Sequence, residues 1–306
     1  MAELKRAQHR RRNYRRGGIA AAVVVVFVLI AYFSTSGGGG GKKKTNANSS
    51  TTTATSGSTA TTTAGGNTTT LSSTVINALT PRTPPAVSPA CNAAPAKTGP
   101  TTTEPAGGYA VSIVPAPKTV PFPKLDGSSP RYTHFSSAPP FCIDVNKTYT
   151  ATMQTDAGTM TIQLLPKQAP QTVNNFVFLA GYHYFDGIYF HRVIQGFVDQ
   201  AGDPQGSGQG GPGYTIPDEN PKSVAAYDNG ALAMANTGQP HSGGSQFFIV
   251  VGNGGQQLSA SYADFGQITS GLNVAKKIND DGSPASNSTG APKVHHKILK
   301  VTITES

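Results

Sequence analysis

The chain has 306 residues, with 24 Lys and Arg against 15 Asp and Glu and a formal net charge of +9. The surplus is local: seven basic residues and Glu3 lie within residues 1–33, Lys42, Lys43 and Lys44 follow, and the two signs balance from Thr45 onward. A nucleic-acid-binding domain carries its basic excess on the folded part, so this distribution argues against that class and no nucleic-acid partner is expected.

Residues 1–17 form a basic tail. Gly18 to Phe33 is almost wholly apolar. As a helix it spans about 24 Å, somewhat short of a bilayer core of roughly 30 Å, and snorkelling arginines and small flanking residues make up the difference. Residues 18–34 are therefore predicted to be a single-pass membrane anchor, with the basic N-terminus cytoplasmic and the rest extracytoplasmic. The alternative is a secretory signal cleaved near Ser34-Thr35-Ser36, giving a secreted protein. Both readings imply export.

Residues 35–108 read as a low-complexity linker: a glycine run, three lysines, then Ser/Thr/Ala/Asn and Pro/Ala stretches that lack the apolar surface to fold. Residues 109–147 are Pro-rich but carry Tyr109, Val111, Val114, Phe122, Tyr132, Phe135 and Phe141, and are expected to form an extended arm packed in part on the domain. Cys91 and Cys142, exported in either topology, are expected to form a disulfide that pins this arm; two free or intermolecularly used thiols are the alternative.

The regular domain is placed at 148–306. Thr148–Gln154 and Thr159–Leu164 alternate around Asp156-Ala157-Gly158, which predicts a β-hairpin with Tyr149, Ala151, Met153, Met160, Ile162 and Leu164 inward. Pro170 opens a helix whose Val173, Phe176, Val177 and Ala180 share one face, ending at Gly181. Short strands are expected near Tyr189–Arg192, Phe197–Ala201, Ala231–Asn236, Gln246–Val250 and Asp264–Ile268. A second helix over Gly271–Ile278 and a last strand over Lys297–Thr304, with Leu299, Val301 and Ile303 inward, complete the domain. Many short strands and two helices predict a mainly β fold, a closed antiparallel sheet.

Several motifs carry little. Gly206–Gly211 has dinucleotide-loop spacing, but Pro212-Gly213 follows where a helix should open. Ser245, His191 and Asp203 lack the nucleophile-elbow context of a hydrolase. His241, His295 and His296 lack metal-ligand spacing, so no metal is expected. Arg192 is different. It is a lone arginine among aromatic residues, either a structural ion pair with Asp199 or Asp203 or a ligand-facing donor. Phe197, Val198, Gln200 and Phe247-Phe248 lie nearby in sequence or behind a Gly-rich loop. Only one of Phe247 and Phe248 can face a given site, and Phe247 is expected in the core.

The stretch Tyr189–Asp203, with Phe-His-Arg-Val-Ile followed by Gly-Phe and Gln-Ala-Gly-Asp, resembles the signature of the cyclophilin-type peptidyl-prolyl cis-trans isomerases. Ala231–Asn236, Gly244–Ile249 and Phe265-Gly266 support the resemblance, and the arrangement is similar to exported, linker-borne bacterial forms of actinobacterial type. The resemblance implies an eight-stranded antiparallel barrel capped by two helices and isomerase activity. It also implies proline-containing peptides and unfolded or exported proteins as partners, no cofactor, and a monomer. It assigns catalysis to Arg192 and substrate binding to Phe197, Val198, Gln200, Ala235, Asn236, Gln246, Phe248, Leu258 and Tyr262. The chain has no tryptophan, and Gln257 stands near where many members have one that contacts cyclosporin. A non-catalytic proline-peptide binding or chaperone module of the cell envelope is the second reading on the same fold.

Overall fold

The computed structural model describes residues 81–92, 109–223, 227–287 and 289–306. The expected tail, anchor and most of the linker lie outside the described residues. Among the described residues, no helix is long and apolar enough to cross a membrane.

β1 (Tyr149–Thr155) and β2 (Gly158–Leu164) pair antiparallel as the expected hairpin, with Met153 opposite Met160 and Thr155 opposite Gly158. The Thr155 hydroxyl closes the turn by accepting from Ala157 N–H and donating to the Gly158 carbonyl at 2.8 Å. Tyr149, Ala151, Met153, Met160, Ile162 and Leu164 all point into the core. The period-2 pattern was sufficient here because one face is fully covered.

α1 (Pro170–Gly181) begins with Pro170, whose missing N–H would have been unsatisfied there in any case. The Glu219 carboxylate accepts the N–H groups of Gln171 and Thr172 at 3.1 and 2.8 Å and so caps the helix from a distant loop. The helix is buried on more than the face that periodicity indicates, because the arm covers its outer side. Phe178 meets Phe135 at 5.0 Å and Phe122 at 5.9 Å between ring centroids. The Asn174 side chain accepts from Cys142 N–H and donates to the Pro140 carbonyl. Val114, Tyr132, Phe135 and Ile143 belong to the main core, so the arm is an integral layer.

Residues 81–92, assigned to the linker by composition, also lie against the domain. Arg82 N–H donates to the Lys167 carbonyl, and its guanidinium donates to the carbonyls of Gln168 and Asn220. A disulfide joins Cys91 to Cys142.

Six further strands follow: β3 (Arg192–Ile194), β4 (Val198–Ala201), β5 (Ala231–Met234), β6 (Phe247–Val250), β7 (Asp264–Ser270) and β8 (Ile298–Glu305). α2 (Leu272–Asp280) sits between the last two. Gly271 makes that junction possible: its φ is +86°, and a Cβ there would lie 2.3 Å from the Thr159 carbonyl oxygen.

The strands form one antiparallel sheet in the order β3-β4-β6-β5-β7-β2-β1-β8. The expected closed barrel is corrected: the sheet is a curled half-barrel. Its end strands β3 and β8 share no ladder, and the edges meet through the single bridge Tyr189–Lys297 and a few backbone bonds around it. The free edge of β3 is occupied instead by residues that follow α2: Val193 N–H donates to the Gly290 carbonyl and the Val193 carbonyl accepts Ser283 N–H. The inward set of β8 is also corrected. Leu299 is 47% exposed, while Ile298, Val301 and Ile303 are buried. A bulge explains this: Gln154 pairs with Lys300 but Thr155 pairs with Ile298, so Leu299 is skipped and the alternation shifts.

Candidate active site

The sheet register places four residues in one row. Arg192 on β3 faces Gln200 on β4, Gln200 faces Phe248 on β6, and Phe248 faces Ala233 on β5. Residues directly opposite in antiparallel strands share a face. This face is the outer one, because Phe247, Val193 and Leu232 on the alternate positions belong to the main core. The choice between Phe247 and Phe248 falls as the sequence indicated.

A second apolar cluster builds on that row. It contains Val198, Tyr227, Ala231, Ala233, Phe248 and Val250, with Phe197, Ala235, Leu258 and Tyr262 packed against it and partly open. Tyr262 meets Phe248 edge to face at 5.2 Å. Tyr227, which sequence reasoning missed, holds Tyr262 in place. Its hydroxyl donates to the Tyr262 carbonyl at 2.7 Å and accepts the Tyr262 N–H at 3.0 Å. No periodic pattern surrounds Tyr227, so nothing local marked it.

The polar side is a chain of amides. Arg192 Nη1 donates to Gln200 Oε1 at 3.4 Å, Gln200 Nε2 donates to Gln246 Oε1 at 2.9 Å, and Gln246 Nε2 donates to the Gly210 carbonyl at 2.8 Å. Gly210 lies in the loop that Asp203 organises by accepting the N–H groups of Gln205, Ser207 and Gly208. The glycine-rich stretch with nucleotide-like spacing is thus a wall of this site. Ala235 N–H donates to the Gln246 carbonyl at 2.9 Å, and the Asn236 side chain donates to the Ser261 carbonyl at 2.8 Å. Every sequence-proposed site residue therefore lies in this cluster, in the amide chain or directly beside them.

The ion-pair reading of Arg192 does not hold. Among the described residues no carboxylate pairs with it. Asp203 is engaged by the loop, and Asp199 faces the other side of β4, accepting from Asn279 at 2.7 Å. Burial presses the Arg192 guanidinium below its ordinary value and Tyr262 opposes this, but arginine stays charged. Burial also pushes His191 down, which favours neutral imidazole. Ser245 exchanges a hydrogen bond with the Tyr184 hydroxyl and donates to the Gly202 carbonyl, both at 2.7 Å, so it is not poised as a nucleophile. On β7, burial holds the Asp264 carboxyl well above its ordinary range, with Asp228 adding to the shift. The site thus offers a half-buried charged donor beside an apolar, aromatic-walled patch.

The profile of the cyclophilin type peptidyl-prolyl cis-trans isomerase family matches residues 150–303, half of the chain. The chain belongs to the cyclophilin-type peptidyl-prolyl cis-trans isomerase family. Peptidyl-prolyl isomerase B of Bacillus subtilis is 46% identical over 125 residues, covering 41% of this chain and 86% of that protein. A Helicobacter pylori isomerase is 42% identical over 137 residues, 44% of this chain and 83% of that protein. Peptidyl-prolyl isomerase A of Mycobacterium tuberculosis is 43% identical over 136 residues, 40% of this chain and 74% of that protein. A Cryptosporidium parvum cyclophilin-type isomerase crystallised in the presence of the dipeptide Ala-Pro is 28% identical over 51% of this chain and 99% of that one, with a TM-score of 0.46. Membership makes the chain an enzyme, a peptidyl-prolyl cis-trans isomerase.

Proposed function

We propose that the chain accelerates X-Pro rotation in exported proteins by non-covalent stabilisation of the twisted amide, with Arg192 as the catalytic residue. The observation that carries this reading is the row Arg192–Gln200–Phe248 on one sheet face, with the guanidinium paired to no carboxylate among the described residues. Rotation about a prolyl amide meets a barrier of about 20 kcal/mol because conjugation must be broken. Acceleration needs only that the twisted bond be bound better than either planar form. In the twisted state the prolyl nitrogen becomes pyramidal and gains a lone pair. Arg192 donates a charge-assisted hydrogen bond there or to a neighbouring carbonyl, which favours loss of conjugation.

Phe197, Val198, Phe248, Leu258 and Tyr262 hold the pyrrolidine ring. Gln200 and Gln246 bind the backbone on one side, and Ala235 and Asn236 bind the residues that precede the proline. Rotation is then confined to one bond. Residues 18–34 anchor the enzyme in the membrane, so that the domain works on chains that have crossed it; the apolar run and its basic flank support this.

The test is an isomerase assay on an Ala-Pro peptide alongside a binding titration, with membrane fractionation of the expressing cell. Binding with acceleration supports the enzyme reading, and binding without it favours a proline-peptide module. Recovery of the full chain in the soluble cytoplasmic fraction contradicts the anchor.

A further inference from the structure

The position of the Arg192 guanidinium needs a cause. No carboxylate holds it among the described residues, and its hydrogen bond to Gln200 is long at 3.4 Å. A long side chain restrained by one weak bond populates several rotamers. Packing of the stem is what remains to select one.

The segment that follows α2, residues 283–287 and 289–291, runs beside β3 on the side where no strand pairs with it among the described residues. Ser283 N–H donates to the Val193 carbonyl at 3.0 Å, Gln195 N–H donates to the Ser283 carbonyl at 2.9 Å, and Val193 N–H donates to the Gly290 carbonyl at 2.8 Å. Ser283 Oγ donates to the Ala291 carbonyl and ties the two ends of the segment together. Gly290 is buried, with φ of +66°. A Cβ built on it would lie 2.6 Å from Arg192 Cγ, 3.1 Å from Ile194 Cγ1 and 3.4 Å from Arg192 Nε. Arg192 and Ile194 alternate with core-facing Val193, so Gly290 sits against the same outer face of β3 that carries the site.

We propose that Gly290 is a positioning residue for the isomerase reaction: its missing side chain leaves the channel in which the Arg192 stem lies, and the walls of that channel aim the guanidinium at the apolar patch. The inference rests on the Arg192 role proposed above. An added methyl group at Gly290 is relieved most cheaply by rotating the Arg192 side chain. The clashing Arg192 atoms belong to a flexible side chain, whereas the Gly290 backbone is bonded to Val193. The variant therefore misplaces the donor without dismantling the loop. A displacement on the ångström scale in a catalytic group lowers rate by up to roughly 100-fold.

The experiment is a double-mutant cycle on the full chain, Gly290→Ala with Arg192→Ala, reading kcat and KM on an Ala-Pro peptide. Gly127→Ala serves as the backbone control: its φ is +77°, nothing lies within 4 Å of an added Cβ, and it is in the arm. Gly290→Ala is expected to lower kcat by roughly 10- to 100-fold with KM within about threefold, and to change the Arg192→Ala enzyme by less than about twofold. The Gly127→Ala enzyme is expected to keep its kinetics. Should Gly290→Ala fail to fold, Ser283→Ala, which loosens the segment without a clash, enters the same cycle with the same expected coupling. Equal losses in the presence and absence of Arg192, or no loss, overturn the inference. An unchanged rate in Arg192→Ala alone overturns instead the reading on which it rests.

Discussion

Arg192 and Gln200 face each other across the β3–β4 pair, with Arg192 Nη1 donating to Gln200 Oε1 at 3.4 Å. The glutamine is oriented from its other end by Gln246, which the Gly210 carbonyl fixes in turn. The donor of the proposed mechanism is thus linked to a loop by three hydrogen bonds, and the middle members are testable as a unit. Gln246→Ala is expected to lower kcat/KM by roughly three- to tenfold, and by clearly less when Gln200 is already alanine, since residues in one network are not additive. Full additivity in the isomerase assay would show that the amide chain does not act as one.

The arm contributes to stability through Phe135, which is 2% exposed and lies 5.0 Å from Phe178 between ring centroids. Truncating a buried phenylalanine costs about 3–5 kcal/mol. Phe135→Ala should lower the melting temperature by several degrees while the folded variant keeps kcat/KM within about twofold, because the Phe135 ring packs on Phe178, Tyr182 and Tyr214 and on no member of the apolar patch. A melting temperature equal to that of the wild type would return the arm to the status of a linker.

The disulfide joins residues 51 apart in sequence. In the chain-entropy account, closing a loop of that length stabilises by about 4 kcal/mol. Replacing Cys91 and Cys142 by serine should lower the melting temperature under oxidising conditions and abolish its dependence on reductant. Wild-type protein whose melting temperature ignores reductant would argue that the bond carries no stability.

Asp199 gives stability a pH dependence of its own. Burial pushes its carboxyl up to about 8, against the opposing donation from Asn279. A free aspartate ionises near 4, so between about pH 4 and pH 8 the unfolded chain has released a proton that the folded chain keeps. Stability from this group therefore falls as pH rises through that window. Asp199→Asn removes the term, and its melting temperature relative to wild type should climb from pH 4.5 to pH 7.5. A difference that stays flat across those melts would contradict the protonated form.

Much of this was legible in the sequence where a pattern is local. The β1–β2 hairpin and α1 announce themselves by period, and the choice of Phe248 over Phe247 follows from alternation once Phe247 is placed in the core. The site residues were reachable only through the Tyr189–Asp203 signature, because spacing does not bring Gln246 to Gln200. What the sequence hid is long-range or irregular. The bulge that turns Leu299 outward needs the register against β1. The capping of α1 by Glu219 spans 47 positions. The packing of Arg82 on the carbonyls of Gln168 and Asn220 is masked by a Pro- and Ala-rich composition that reads as linker.

The most direct measurement of the central claim is kcat/KM of Arg192→Ala on an Ala-Pro peptide, with the fold checked by circular dichroism and peptide affinity by titration. A loss of two or more orders of magnitude with the fold intact and the affinity little changed is the expected result, on the scale of removing one preorganised donor, roughly 100- to 1,000-fold. Catalysis at the wild-type rate would contradict the account.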